Sequence, residues 1–180
     1  MGSIAPEDLV FIDEAGVNLA LVRLYARSPR GHRATGERPQ RRGQNVSMVE
    51  ALTMGGPLAT LQILGSMNGL TFEAYLLRRV LPHLWPGACV VIDNSPTHHP
   101  SEDIKAAFAA VGARLIYLPP YSPDFSPIEN FWSKVKHILK SIAPRSYQAL
   151  QKAIEFAYKQ VSLNDIKNWF TFCGYRTSPN

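Results

Sequence analysis

The chain has 180 residues, 46% hydrophobic and 18% charged, a composition that suits one globular domain and excludes a disordered chain. No apolar run approaches the ~20 residues of a membrane span, and the start MGSIAPEDLVFIDEAG, acidic before it is apolar, argues against a secretory leader. The net charge of +5 is concentrated in one stretch, where seven arginines from Arg23 to Arg42 face a single acid, Glu37.

In chain order, residues 9–13 (LVFID) form a short apolar run that predicts a buried strand ending at Asp13. Residues 19–25 predict a second strand. Residues 28–44 contain SPRG, GERP and RRGQ, so Gly, Pro and Arg make them a loop. Its arginines point to a polyanion, most simply nucleic acid; the plainer reading is a solvated loop. Residues 46–53 and 58–64 predict a hairpin about Met54-Gly55-Gly56-Pro57, with the glycines supplying positive φ. Thr71 is placed as the N-cap of a helix that runs until Pro82 and Pro86. Residues 88–93 (ACVVID) lack alternation, as in a strand covered on both faces, and Cys89 in that run reads as a small buried hydrophobe. Neither it nor Cys173 sits in a CxxC pair, which argues against a disulfide framework or a structural zinc. A helix over 101–111 and a strand over 114–118 follow. Residues 128–142 carry a stripe of Ile128, Phe131, Trp132, Val135, Ile138, Leu139 and Ile142 at helical spacing. Two more helices are predicted over 146–161 and 164–172.

Three carboxylates stand at the ends of these elements: Asp13, Asp93 and Glu129. If the two strands are neighbours, both aspartates emerge at one sheet edge, and the long helix can deliver Glu129 beside them. Such a trio repels itself, and hard divalent cations relieve the repulsion. Each residue also has a structural explanation. The aspartates precede turn-like sequence, and Ser126-Pro127-Ile128-Glu129 fits a capping box. Lys136 and Lys140 fall seven and eleven residues after Glu129, on its helix face, where a DNA backbone would lie or where lysines are simply solvated.

Two segments narrow the reading. Asp93-Asn94-Ser95-Pro96-Thr97-His98 is followed by YSPDFSPIENFW over 121–132, with 35 residues between Asp93 and Glu129. Together they resemble the DDE transposases of the mariner-like insertion-sequence superfamily, whose second Asp lies in a DNxxxH element and whose Glu lies in SPxxNPIExxW. Ser126 stands where many relatives carry Asn; both are good N-caps. The resemblance implies the RNase H-like fold of retroviral integrases, an α/β arrangement with a mixed five-stranded sheet, an antiparallel meander plus two parallel strands, flanked by helices. It implies Asp13, Asp93 and Glu129 as catalytic residues and ligands of two Mg²⁺ ions, with Mn²⁺ able to substitute, and Asn94, His98 and Asn130 as active-site neighbours.

The expected function is metal-dependent strand cleavage at transposon ends and strand transfer into target DNA. The alternatives are an RNase H-like nuclease without strand transfer, and a catalytically silent DNA-binding remnant. Expected partners are double-stranded DNA, contacted by Arg27, Arg30, Arg33, Arg38, Arg41, Arg42, Lys136 and Lys140, and a second copy of the chain or a larger assembly on DNA. Only twelve residues precede Asp13, too few for the helix-turn-helix module of full-length relatives. Residues 1–180 are therefore expected to be a single catalytic domain, served by a separate DNA-binding chain, cytoplasmic and nucleoid-associated when bound to DNA.

Overall fold

A computed structural model of the chain describes residues 4–95, 99–119 and 122–176. Five strands, β1 (Leu9–Val17), β2 (Val46–Thr53), β3 (Gly56–Leu64), β4 (Cys89–Ile92) and β5 (Arg114–Tyr117), form one sheet in the order β3-β2-β1-β4-β5. β1, β2 and β3 are an antiparallel meander, whereas β4 and β5 run parallel to β1. This is the expected mixed sheet. Helices α1 (Gly69–Tyr75) and α2 (Glu102–Ala110) cover one face; α3 (Pro127–Ile142), α4 (Tyr147–Lys159) and α5 (Leu163–Phe172) cover the other.

Strand alternation sorts the core between the two faces. Leu9, Phe11, Ala15 and Val17 of β1 join Ile128, Phe131, Trp132, Val135 and Leu139 of α3. Val10 and Ile12 face Phe72, Tyr75, Ile104 and Phe108. All four residues of β4 are buried, as its unbroken apolar run predicts for a strand between two helical layers. Phe11 packs edge-on against Phe170 of α5, with centroids 5.5 Å apart. Lys134 of α3 pairs with Asp165 of α5 at 2.7 Å, and that ammonium, with Ser162, holds the Asp165 carboxyl at about 2.

Several local expectations are corrected. Residues 19–25 form no strand. β1 instead continues to Val17, paired with Val46, so β2 takes the antiparallel place beside β1 that a hairpin from residues 19–25 would have filled. Asn18 turns the chain, its Oδ1 accepting from Ala20 N at 3.0 Å, and Leu24 and Tyr25 lie exposed. The hairpin turn is Met54-Gly55, since Thr53 pairs with Gly56; of the two glycines only Gly56 has positive φ, at 122°. The cap of α1 is Asn68, not Thr71, because the Asn68 side chain accepts from Thr71 N at 2.9 Å. That helix then widens into a π turn, Leu76–Val80, that ends two residues before Pro82, which has no N–H to continue the ladder. Ile142, assigned to the buried stripe of α3, is exposed in its last turn.

The remaining helices fall within a residue or two of expectation. Ser146 and Ser162 cap α4 and α5 through their side chains. Ala143 ends α3 in the left-handed region, with φ 52°, and Pro144 follows.

Asn68→Ala removes the only side-chain cap of α1 among the described residues. It is expected to lower stability by about 1 kcal/mol, whereas Thr71→Ala, which leaves the Thr71 backbone donor in place, should cost less. Urea unfolding of the two variants side by side checks the order.

Candidate active site

The pairing of β1 with β4 positions the first two carboxylates. Their parallel register runs Leu9–Cys89, Val10–Val90, Phe11–Val91 and Ile12–Ile92. Asp13 and Asp93 are the next residues on each strand, and by alternation both belong to the face covered by α3. Asp13 is not a strand terminus as expected; β1 carries on for four more residues against β2. The sequence cue was misleading because Glu14 and Gly16 break the apolar run without breaking the ladder.

Asp13, Asp93 and Glu129 line one pocket of about 410 Å³, together with Ile12, Asn94, Ser95, Leu118, Pro119, Ser122, Pro123 and Ser126. Both aspartates are half-buried and Glu129 is exposed. Among the described residues no three His, Cys, Asp or Glu side chains are grouped closely enough to enclose one ion. The trio therefore shares a pocket without closing on a point. Its oxygen donors nonetheless suit a hard divalent cation, with two aspartates on adjacent strands and a solvent-facing glutamate beside them.

Each carboxylate has its own support. Asp93 Oδ1 accepts from Ser95 N at 3.2 Å, an Asx turn that begins the loop after β4. Asp13 Oδ2 accepts from Trp132 Nε1 at 3.0 Å. Glu129 sits in the first turn of α3, where the helix dipole favours a negative charge. The capping box does not form. Ser126 is the N-cap by position but makes no side-chain cap hydrogen bond; its carbonyl accepts from Glu129 N at 3.1 Å. Pro127 at the first helical position leaves one fewer N–H to cap. The Glu129 side chain is thus not committed to the helix end.

Of the expected neighbours, Asn94 lines the pocket. Asn130 does not line it; its Nδ2 lies 4.0 Å from Cys173 Sγ, as the i+1 position on a helix requires when Glu129 faces the opening. His98 lies outside the described residues, as do Pro96 and Thr97 of the first motif and Tyr121 of the second. Lys136 and Lys140 are half-buried further along α3. Arg27, Arg30, Arg33, Arg38, Arg41 and Arg42 are all exposed on residues 18–45, which carry neither strand nor helix.

Sequence reasoning missed several contributors. Ser122 and Ser126 line the pocket, although Ser126 was read only as an N-cap and Ser122 was given no role. Trp132 was assigned to the core alone, where it is indeed buried, while its N–H reaches Asp13. The arginine-rich loop is closed at its mouth. Leu19 N donates to Arg42 O at 3.0 Å, and Asn18 Nδ2 to Asn45 Oδ1 at 3.2 Å. Arg145 Nη1 donates to Leu19 O and Leu21 O, both at 3.0 Å, and Tyr147 OH accepts from Gln44 N at 2.7 Å. No local pattern connects residues more than a hundred positions apart.

Glu50 is a further carboxyl beside the site. It is the cross-strand partner of Asp13 on β2 and is fully buried. Thr60 Oγ1 donates to its Oε2 at 2.7 Å, while Oε1 has no hydrogen-bond partner among the described residues. Burial pushes the carboxyl up to about 8, against the lowering effect of Thr60 and the backbone of Ala51 and Ala59. At neutral pH it is mostly protonated and adds little to the negative charge at Asp13.

Residues 8–151 match the family described as DDE superfamily endonuclease. A sequence comparison with curated proteins finds no match. Among solved structures, the chain is similar to the Mos1 transposase paired-end complex with the left transposon end, with a TM-score of 0.74 and 15% identity over 92% of this chain and 52% of that one. It is similar to the Mos1 strand transfer complex, with a TM-score of 0.73 and 16% identity over 94% and 52%. It is also similar to the Mos1 mariner paired-end complex with Mn, with a TM-score of 0.70 and 16% identity over 94% and 54%. At these identities the likeness is one of fold, and the chain spans about half the length of these solved relatives.

The raised Glu50 carboxyl makes stability depend on pH. Folding takes up a proton between the unfolded value of 4.5 and the folded value of about 8. The contribution is fully present below the lower value and is lost as pH rises through the higher one. Denaturant unfolding at intervals from about pH 5 to about pH 9 should show the parent losing on the order of a few kcal/mol relative to Glu50→Gln. Parallel profiles for the two chains would show that Glu50 titrates normally.

Proposed function

The chain belongs to the DDE superfamily endonucleases, and from that membership we propose that it is a transposase catalytic domain, cleaving DNA strands at transposon ends and transferring them to target DNA. One observation carries the reading: the parallel register brings Asp13 and Asp93 to matching positions one residue past its last rung, in a pocket that Glu129 also lines. The neighbours described as transposase complexes with a transposon end, after strand transfer, and with Mn support a DNA substrate and a divalent ion.

Asp13, Asp93 and Glu129 would hold two Mg²⁺, or Mn²⁺ in their place. When bound, such a pair supplies Lewis acidity at the attacking and departing oxygens of a phosphodiester. The chain's own residues do the rest. The Asx turn at Ser95 holds the Asp93 carboxylate, and the first turn of α3 presents Glu129 to solvent, from which DNA arrives. Asn94 and the hydroxyls of Ser122 and Ser126 add neutral donors to the pocket wall. Arg27, Arg30, Arg33, Arg38, Arg41 and Arg42, with Lys136 and Lys140, would neutralise backbone phosphates without reading sequence. Assembly as a dimer or larger complex on DNA belongs to the same proposal.

Nicking of supercoiled DNA with Mg²⁺, Mn²⁺ or chelator, followed by a search for joined products, tests the proposal. Metal-dependent nicks with joined products support a transposase; nicks that are never joined would leave a nuclease. Asp93→Asn and Glu129→Gln are each expected to lower nicking by orders of magnitude. Neither should destabilise the fold by more than about 1 kcal/mol, because Glu129 loses only its dipole interaction and Asp93→Asn relieves like charge. A Glu129→Gln chain that nicks as the parent does would remove Glu129 from the mechanism.

The arginine loop makes a separate prediction. Binding to duplex DNA should weaken with salt at about 0.9 log unit per log[salt] for each phosphate neutralised. Arg41→Ala combined with Arg42→Ala should reduce that slope by about 2. A filter-binding salt titration of parent and double variant reads it directly, and an unchanged slope returns the two residues to a solvated loop.

A further inference from the structure

Two indole N–H groups meet aspartates at either end of the same stretch of chain. Trp85 Nε1 donates to Asp8 Oδ1 at 2.9 Å, just before β1 begins, and Trp132 Nε1 donates to Asp13 Oδ2 at 3.0 Å within it. The first pair lies away from the pocket that holds Asp13, and neither Asp8 nor Trp85 lines it. The second pair joins a pocket carboxylate to the helix that carries another. Trp132 is 2% exposed and packs edge-on against Phe131, with centroids 5.0 Å apart. Its ring therefore has no room to turn, and its nitrogen is a donor only.

We propose that Trp132 is a positioning residue for divalent-ion binding, setting the plane of the Asp13 carboxylate and holding Glu129 in register with it. The inference rests on the reading of Asp13 as a metal-holding carboxylate. Three features support it. An indole N–H can donate to one carboxylate oxygen but cannot ligate a cation or neutralise the charge that attracts it. The bond fixes the carboxylate against a buried ring rather than against a mobile surface side chain, which is how partners beyond the ligands orient a metal site. Trp132 also lies three residues after Glu129 on α3, so the two side chains sit on neighbouring positions of one helix face. A shift of α3 along the sheet would stretch the bond and move Glu129 relative to Asp13 at the same time.

The experiment uses the full chain with ¹⁵N-labelled tryptophan, whose indole signals come from Trp85, Trp132 and Trp169, together with calorimetric Mg²⁺ titration. Mg²⁺ is expected to move the Trp132 signal along the same saturation curve as the calorimetric isotherm. The Trp85 signal, from an equivalent bond to a carboxylate outside the pocket, should stay in place. Trp132→Phe keeps most of the ring packing and removes the N–H, and is expected to weaken Mg²⁺ binding roughly tenfold. In an Asp13→Asn background the same substitution should cause no further loss. The indole titration on the parent needs no variant to fold, so it decides the question even if Trp132→Phe does not. Mg²⁺ binding by the parent with an unmoved Trp132 signal overturns the positioning role and leaves the metal site standing. A parent that binds no Mg²⁺, or an Asp13→Asn chain that binds it as tightly as the parent, overturns the metal site and this inference with it.

Discussion

Four rungs of parallel pairing between β1 and β4 end at Ile12 and Ile92, and two negative side chains follow on adjacent strands. Everything nearby answers the electrostatic problem this creates. Two carboxylates at neighbouring strand positions repel, and the repulsion grows as water is excluded. Two donors help to orient them: a backbone N–H from Ser95 to Asp93 and an indole N–H from Trp132 to Asp13. Neither of these neutral donors cancels the charge of the carboxylate it holds.

The same economy of charge extends one strand further. Glu50, opposite Asp13, lies in the low-dielectric layer between the sheet and the helices and stays protonated near neutral pH. A charged glutamate there would strengthen the repulsion inside the core, where it is hardest to screen. Hydrophobic packing of α3 through Ile128, Phe131, Trp132, Val135 and Leu139 holds the arrangement. The helix that presents Glu129 is thus also the one most deeply anchored in the core, so the exposed carboxylate stands on a rigid base.

Much of this was legible in the sequence, for particular reasons. The double-covered strand at Cys89–Ile92, the amphipathic stripe of α3 and the hairpin of β2 and β3 each follow from a period that a few residues impose. The carboxylates were legible because Asp93 and Glu129 lie at element boundaries and inside two uncommon motifs. What escaped was set by pairing at a distance. Residues 19–25 have the composition of a strand, but β2 holds the antiparallel place beside β1 that they would have filled. Glu129 has the spacing of a capping-box partner, but the Ser126 side chain makes no cap bond. Asn68 outcompeted Thr71 as a cap by lying three residues earlier, with its side chain turned to the Thr71 N–H. The indole bond to Asp13 crosses from the sheet to a helix 119 positions away, and no local rule reaches that far.

The closed mouth of the arginine-rich loop has a bearing on how such a chain changes over generations. Its fasteners act almost entirely on main-chain atoms: the carbonyls of Leu19, Leu21 and Arg42 and the amide of Gln44. Any residue but proline, which has no N–H, presents the same atoms at those positions. Lengthening a loop whose ends are already joined adds only a logarithmic entropic cost, about 0.6 kcal/mol for each doubling. Insertions, deletions and reshuffled charges between the fasteners can therefore accumulate without disturbing the strand that carries Asp13, leaving the loop free to diverge while the carboxylates beside it stay under constraint.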